Sequence, residues 1–348
     1  MIDPISFYGW PFFISLGSVS VLCYLLIRLQ SVSTLRDKRS GKRHIHKRRI
    51  SRFGGIAIIS GFIITLAINE HLVFDHIVWS MLVGGAVILI FGVIDDIRVM
   101  NWKSQIFAQI VVVLLVFIMG VRIEFVTNPF GGVVWLIYNN IPLVSLIFTL
   151  VWIGMIMNAI NWCDGIDGLV GGVVFIAAIT LSIISLQPHV AQPPIAIISI
   201  VFAGSVAGFL IFNLPPARIF AGSSGSFFMG FIIALIAIAA GAKIGATLLV
   251  LAVPLIDAMW VVGDRFRSGN SIFHGDKKHL HHRLLDRGWS TLRILVLYYV
   301  ITVLCAIVAI VTHDIGKFIA LVIFCGIILI FFIVLSYKDG HNKMFNYI

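Results

Sequence analysis

Charge is scarce in this chain. Only 11% of its 348 residues are Asp, Glu, Lys or Arg, against about 25% in an ordinary soluble domain, and 60% are hydrophobic. So little polar side chain cannot cover so much apolar chain in water, which excludes a soluble globular domain. Cysteine is also rare: Cys23, Cys163, Cys305 and Cys325 show no paired spacing, which argues against a disulfide framework and a zinc site. Five of the ten prolines gather at two turns, Pro188 with Pro193 and Pro194, and Pro215 with Pro216. No internal repeat and no polar stretch long enough for a separate soluble domain is present, so the chain reads as one domain over 1–348.

What the chain has in abundance is apolar runs of the length that crosses a bilayer as helix, about 17–25 residues. Eleven recur, at roughly 8–29, 55–74, 77–94, 104–121, 142–160, 169–187, 195–213, 226–242, 244–263, 293–312 and 317–337. The pattern predicts an all-α, polytopic integral membrane protein with about eleven transmembrane helices. With the N-terminus outside, the segments 30–54, 95–103, 158–168, 214–225, 264–292 and 338–348 share one side and hold 20 of the 25 Lys and Arg residues. Positive charge marks the cytoplasmic side, so these become cytoplasmic loops and the C-terminus is cytoplasmic. The first run has its basic cluster after it rather than before it, the reverse of a cleavable signal peptide, and is expected to stay as the first span. The net charge of +10 then reflects this bias, and no nucleic-acid partner is expected.

Four expected cytoplasmic segments carry the polar residues: VIDDIRVMNWK, NAINWCDGIDGL, FNLPPARIFAGSSGS and GDRFRSGNSIFHGDKKHLHHRLLDRG. Asp95 and Asp96 end the third run, where an ionised carboxylate near hydrocarbon is costly without a partner. Adjacent acids suit a divalent cation or general-base work; a wet helix end is the plainer alternative. Asp164 and Asp167, three apart, can share one face of a helical turn, with Gly165 and Gly168 admitting a phosphate close to backbone; a polar loop is the alternative. His279, His281 and His282 lie among Lys277, Lys278 and Arg283, a setting that opposes a metal and favours phosphate, with a solvated basic loop as the alternative. Phosphoryl transfer from a soluble, phosphorylated donor to a lipid accommodates all of these groups.

The order DD, NxxNxxDGxDGL, GxxGS and HxHH over about 36–290 resembles the polyprenyl-phosphate N-acetylhexosamine-1-phosphate transferase family, which includes the phospho-MurNAc-pentapeptide transferases. The resemblance implies transfer of a sugar 1-phosphate from a UDP-sugar to undecaprenyl phosphate, with Mg²⁺ or Mn²⁺, at the bacterial inner membrane with the site facing the cytoplasm. It further implies a role in lipopolysaccharide, O-antigen or cell-wall synthesis, and admits a homodimer. On the matching positions, Asp95, Asp96, Asp164 and Asp167 would be catalytic, with Asp95, Asp96 and Asp167 near the metal. Lys103, Asn158, Asn161, Asn213, Phe220, Arg265, His279, His281 and His282 would contact substrate or phosphate, as would His46 and Arg52 ahead of Gly54 and Gly55. One position departs from the family: where its motif has an Asp that binds the metal, IFAGSSGS has Ser223. A hydroxyl is a weak ligand for a hard cation, so a catalytically impaired relative that binds nucleotide sugar or polyprenyl lipid is one alternative. A membrane transporter is another, since transporters also keep intramembrane acids.

Overall fold

The computed structural model describes residues 5–32, 50–138, 141–241, 243–269 and 278–345. Each of the eleven apolar runs contains helix, although the run 55–74 is helical only to Ala67. The helices are α1 (Trp10–Val32), α2 (Gly54–Ala67), α3 (His76–Arg98), α4 (Trp102–Ile118), α5 (Leu143–Cys163), α6 (Leu169–Leu186) and α7 (Pro193–Asn213). After these come α8 (Gly222–Ala239), α9 (Ile244–Val250), α10 (Ala252–Arg267), the short α11 (Leu280–Asp286), α12 (Thr291–Val311) and α13 (Asp314–Phe345). Among the described residues, eight helices are long and apolar enough to cross a membrane, or nine if α9 and α10 count as one bent span. The helices α2 and α4 are shorter, at 14 and 17 residues.

Three expectations are corrected. The run 244–263 is not one straight helix, because α9 and α10 meet at an 80° bend. Pro254 has no N–H to give the carbonyl four residues back, so the ladder breaks there and the proline falls in the first turn of a new helix. The expected loop 158–168 starts late, since α5 continues through Cys163. The fold is also not purely helical: the expected outer loop 122–141 contains an antiparallel hairpin, β1 (Phe125–Thr127) with β2 (Val133–Trp135), pairing Val126 with Val134.

The core centres on α8, whose residues Ser224 to Ile238 are all buried. It packs on α2, α3 and α5, while α7 packs on α1 and α6. Small residues permit this. A Cβ on Gly55 would run into Gly225 N, one on Gly92 into Ser224 Cα, and one on Gly230 would come within 2.7 Å of Met157 Cα. Close backbone approach is how helices gain packing energy in lipid, where the hydrophobic effect cannot drive association. Many buried hydroxyls bond back to their own helix, Thr65 Oγ1 to Gly61 O at 2.8 Å and Ser199 Oγ to Ile195 O at 2.7 Å, which satisfies these donors inside the apolar layer.

Candidate active site

The polar motifs meet at one end of the bundle, where α3 and α5 end and α8 begins. Asp95 and Asp96 occupy the last turn of α3. Asp95 is buried; its Oδ1 accepts from Met100 N at 2.6 Å and Gln105 Nε2 at 3.1 Å, and its Oδ2 accepts from the Ser223 hydroxyl. Asp96 Oδ1 accepts from Ser223 N at 2.7 Å, and its Oδ2 from Ser224 N at 3.2 Å and Ser224 Oγ at 2.9 Å. Asp96 therefore caps α8 from another helix, pairing a carboxylate with free N–H groups at the positive end of the helix dipole. Gly222 makes this possible: its φ is +70°, and a Cβ would meet the Asp96 carboxylate oxygens at 2.6 and 2.7 Å.

Between α5 and α6 the chain makes a turn, not the helical turn expected for Asp164 and Asp167. Asn158 in α5 exchanges amide bonds with Gln109 at 2.7 and 3.3 Å, and Asn161 Oδ1 accepts from Ser226 Oγ at 2.7 Å. Asp164 follows the helix and, among the described residues, its carboxylate accepts no hydrogen bond. Burial pushes this carboxyl up to about 7, Arg52 pulls it down, and the negative charges of Asp96 and Asp167 push it up further. Asp167 faces elsewhere and accepts from Ala217 N at 2.9 Å. Asn213, expected at substrate or phosphate, is a buried bracket: its Oδ1 accepts from Gly168 N at 3.0 Å and its Nδ2 donates to Ile219 O at 2.9 Å.

The segment before α2 seals this region. Phe220 N donates to Ser51 O at 2.7 Å, Gly54 N to Phe220 O at 2.9 Å and Gly55 N to Ala221 O at 2.9 Å. That places Arg52 beside Gly222 and within electrostatic reach of Asp164. The Phe220 ring is half-buried. His46 lies outside the described residues.

The histidines join from α11. His279 Nδ1 lies 3.0 Å from Asp257 Oδ2, and Asp257 Oδ1 accepts from Leu280 N at 2.8 Å. The rings of His279 and His281 stack at 5.9 Å, and His282 lies 4.3 Å from His281. Trp162 is 6.0 Å from His279 and carries the Arg265 guanidinium 5.8 Å from its ring centre. His281 is fully buried and, among the described residues, neither ring nitrogen is hydrogen-bonded; burial lowers its basicity, and His282 and His279 lower it further. A Cβ on Gly165 would strike the His281 ring, so the Asp164 turn rests directly on the histidines.

The region 78–241 matches the model of glycosyl transferase family 4. The decaprenyl-phosphate N-acetylglucosaminephosphotransferase of Mycobacterium leprae is 34% identical over 81% of this chain and 76% of its own length. The chain belongs to glycosyl transferase family 4. A second member, the probable undecaprenyl-phosphate N-acetylglucosaminyl 1-phosphate transferase of Bacillus subtilis, is 28% identical over 96% of this chain and 93% of its own. The phospho-N-acetylmuramoyl-pentapeptide-transferase of Listeria monocytogenes is 27% identical over 88% of this chain and 97% of its own.

Lys103, expected at substrate or phosphate, sits exposed in the first turn of α4, with its ammonium 5.6 Å from the Trp102 ring centre. One part of the family-4 expectation looks different in the structure. Asp95, Asp96 and Asp167 do not converge: among the described residues, no three His, Cys, Asp or Glu side chains are grouped so as to hold a metal. Every oxygen of the acid pair is already engaged, Asp95 Oδ2 by the hydroxyl of Ser223. In this arrangement the donor set does not fit a hard cation, which needs open carboxylate oxygens. Two functional candidates escaped the sequence reading, Gln105 and Asp257. Asp257 is the lone acid within the run LAVPLIDAMWVV, and a buried acid at membrane depth is itself a signal of function.

Proposed function

We propose that this chain transfers an N-acetylhexosamine 1-phosphate from a UDP-sugar to undecaprenyl phosphate, releasing UMP and leaving a lipid-linked pyrophosphoryl sugar. The step initiates a cell-surface polysaccharide at the bacterial inner membrane, with the site facing the cytoplasm. The observation that carries the reading is the convergence of acids, asparagines and histidines from distant stretches at one end of an apolar bundle. That end is where a soluble donor and a membrane-bound acceptor can meet. The names of the family-4 relatives support the same chemistry.

In the reaction an oxygen of the acceptor phosphate attacks the sugar-bearing phosphorus of the donor. A new P–O bond forms, the bond to the nucleoside phosphate breaks, and UMP departs with the electron pair. Asp164 is the candidate proton acceptor, because a carboxyl titrating near 7 matches working pH. Arg52 and Arg265 supply positive charge for the phosphates, and the histidines supply donors. The Asp257 contact at Nδ1 holds the His279 ring so that Nε2 remains for substrate. Asn158 and Asn161, tied to Gln109 and Ser226, keep the end of α5 rigid behind the reacting groups.

A second reading, a binder of the donor with weak or no turnover, is favoured by one observation: the Ser223 hydroxyl closes Asp95. The experiment is transfer of labelled GlcNAc 1-phosphate from UDP-GlcNAc to undecaprenyl phosphate by purified protein, with Mg²⁺ titrated and Ser223→Asp assayed beside it. Turnover by the parent supports the transferase. Turnover only by Ser223→Asp, with UDP-GlcNAc still raising the parent's melting temperature, selects the binder.

A further inference from the structure

The stretch from Phe125 to Cys163 contains no Asp, Glu, Lys, Arg or His. Its second part is the span α5, but its first part is the β1–β2 hairpin with the turn after it. A loop in water would carry charge. This one exposes apolar and aromatic groups: Phe130 is 78% exposed, Tyr138 76%, Trp135 64% and Val134 54%. The strand β2 is exposed along its whole length, which in water would leave a two-stranded ribbon poorly stabilised and open to edge pairing.

The hairpin cannot drift from this position. Its base is bonded to α5, with Ser145 Oγ donating to Ile123 O at 2.6 Å and Ile123 N to Thr149 Oγ1 at 3.0 Å, while Leu136 N closes onto Glu124 O at 2.8 Å. The charges just before it in the chain, Arg122 and Glu124, pair with each other at 3.0 Å. At its tip Phe130 meets Phe318 of α13, ring centres 6.2 Å apart. Its apolar surface runs directly onto the outward face of α5, where Leu143, Val144, Ile147, Phe148 and Val151 are exposed. That face belongs to a membrane span, so the hairpin continues a surface that already meets lipid.

We infer that the β1–β2 hairpin lies in the bilayer interface, in the leaflet away from the acid cluster, with Phe130, Val134, Trp135 and Tyr138 at the boundary between headgroups and acyl chains. Trp and Tyr favour that layer because an apolar ring and a polar edge are satisfied there together. The neutral headgroup chemistry fits a surface without formal charge. The hairpin thereby fixes the depth of the ends of α4 and α5, whose other ends carry the acid site. This inference is independent of the transferase reading.

The test is electron paramagnetic resonance in phospholipid nanodiscs, with a spin label on Val134→Cys and separately on Tyr138→Cys. Cys325→Ala serves as background, since the other three native cysteines are buried. Oxygen, which partitions into lipid, is expected to collide with both labels more often than a water-soluble nickel chelate does, as at a control label on Ile147→Cys. Greater collision with the chelate at both positions would put the hairpin in water and overturn the inference. Low collision with both probes, together with dipolar broadening between labels, would show the strand paired with a second copy and overturn it equally.

Discussion

At the scale of the residue, Asp164 ties stability to activity. An unfolded Asp releases its proton near about 3.9, whereas the folded carboxyl holds it until about 7. Between those values the folded chain binds more protons than the unfolded chain, so stability falls as pH rises through this window and levels off above about 7. Asp164→Asn removes the charge. Its melting temperature should match the parent's near pH 4 and exceed it by a few degrees near pH 8, while transfer is abolished; equal differences at both pH values, or full turnover, would refute the assignment. Asp257 makes a second case. Removing the carboxylate behind a functional histidine costs about 10–100-fold in metal sites, and Asp257→Asn should slow transfer in that range, with Asp257→Glu restoring part of the loss. Unchanged initial rates would return the Asp257–His279 contact to a packing role. The acid pairs were legible in the sequence because carboxylates stand out against apolar runs. Asn213 stood out in the sequence as a candidate substrate contact, but its structural bonds to Gly168 N and Ile219 O did not. Partners so distant in sequence leave no local pattern.

At the scale of the element, hydropathy located the long helices but missed the short α11 inside the expected loop 264–292 and could not see the break in the ninth run. An apolar average is blind to direction, and only Pro254 hinted that 244–263 bends. The start of α8 was equally hidden, because GSSGS reads as a loop until Asp96 supplies the cap from α3. The cap depends on Gly222, whose left-handed backbone costs about 1–2 kcal/mol for a residue with a side chain, and whose missing Cβ leaves room for Asp96. Gly222→Ala should therefore lower the melting temperature by at least a few degrees. It should also cut transfer more deeply than heat stability, since displacing Asp96 disturbs the acid pair directly. A control at half-buried Gly263, where a Cβ meets nothing within 4 Å, should change neither; parallel behaviour of the two variants would show that the α8 cap is not special.

At the scale of the whole molecule, the structure sets two ends apart, and the proposal that the acid end faces the cytoplasm rests on charge. The acid site gathers the ends of α3, α5 and α7 with the starts of α2, α4, α6 and α8. The turn between α6 and α7 lies at the other end, and α6, 18 residues long, separates the two by about 27 Å. The convergence itself could be expected from the shared side of the polar segments, but which groups touch could not, because contact is set by helix packing and not by order along the chain. Lys and Arg crowd the side of the acid site, and translocation disfavours moving such loops across the membrane. A membrane-impermeant thiol reagent checks the orientation. Lys103→Cys and Arg218→Cys, both exposed at the acid end, should react in inside-out vesicles and stay protected in intact spheroplasts. Gln192→Cys, exposed in the α6–α7 turn, should show the reverse. Reaction of Lys103→Cys from the outside would invert the topology, and would leave the acid site facing away from any cytoplasmic UDP-sugar.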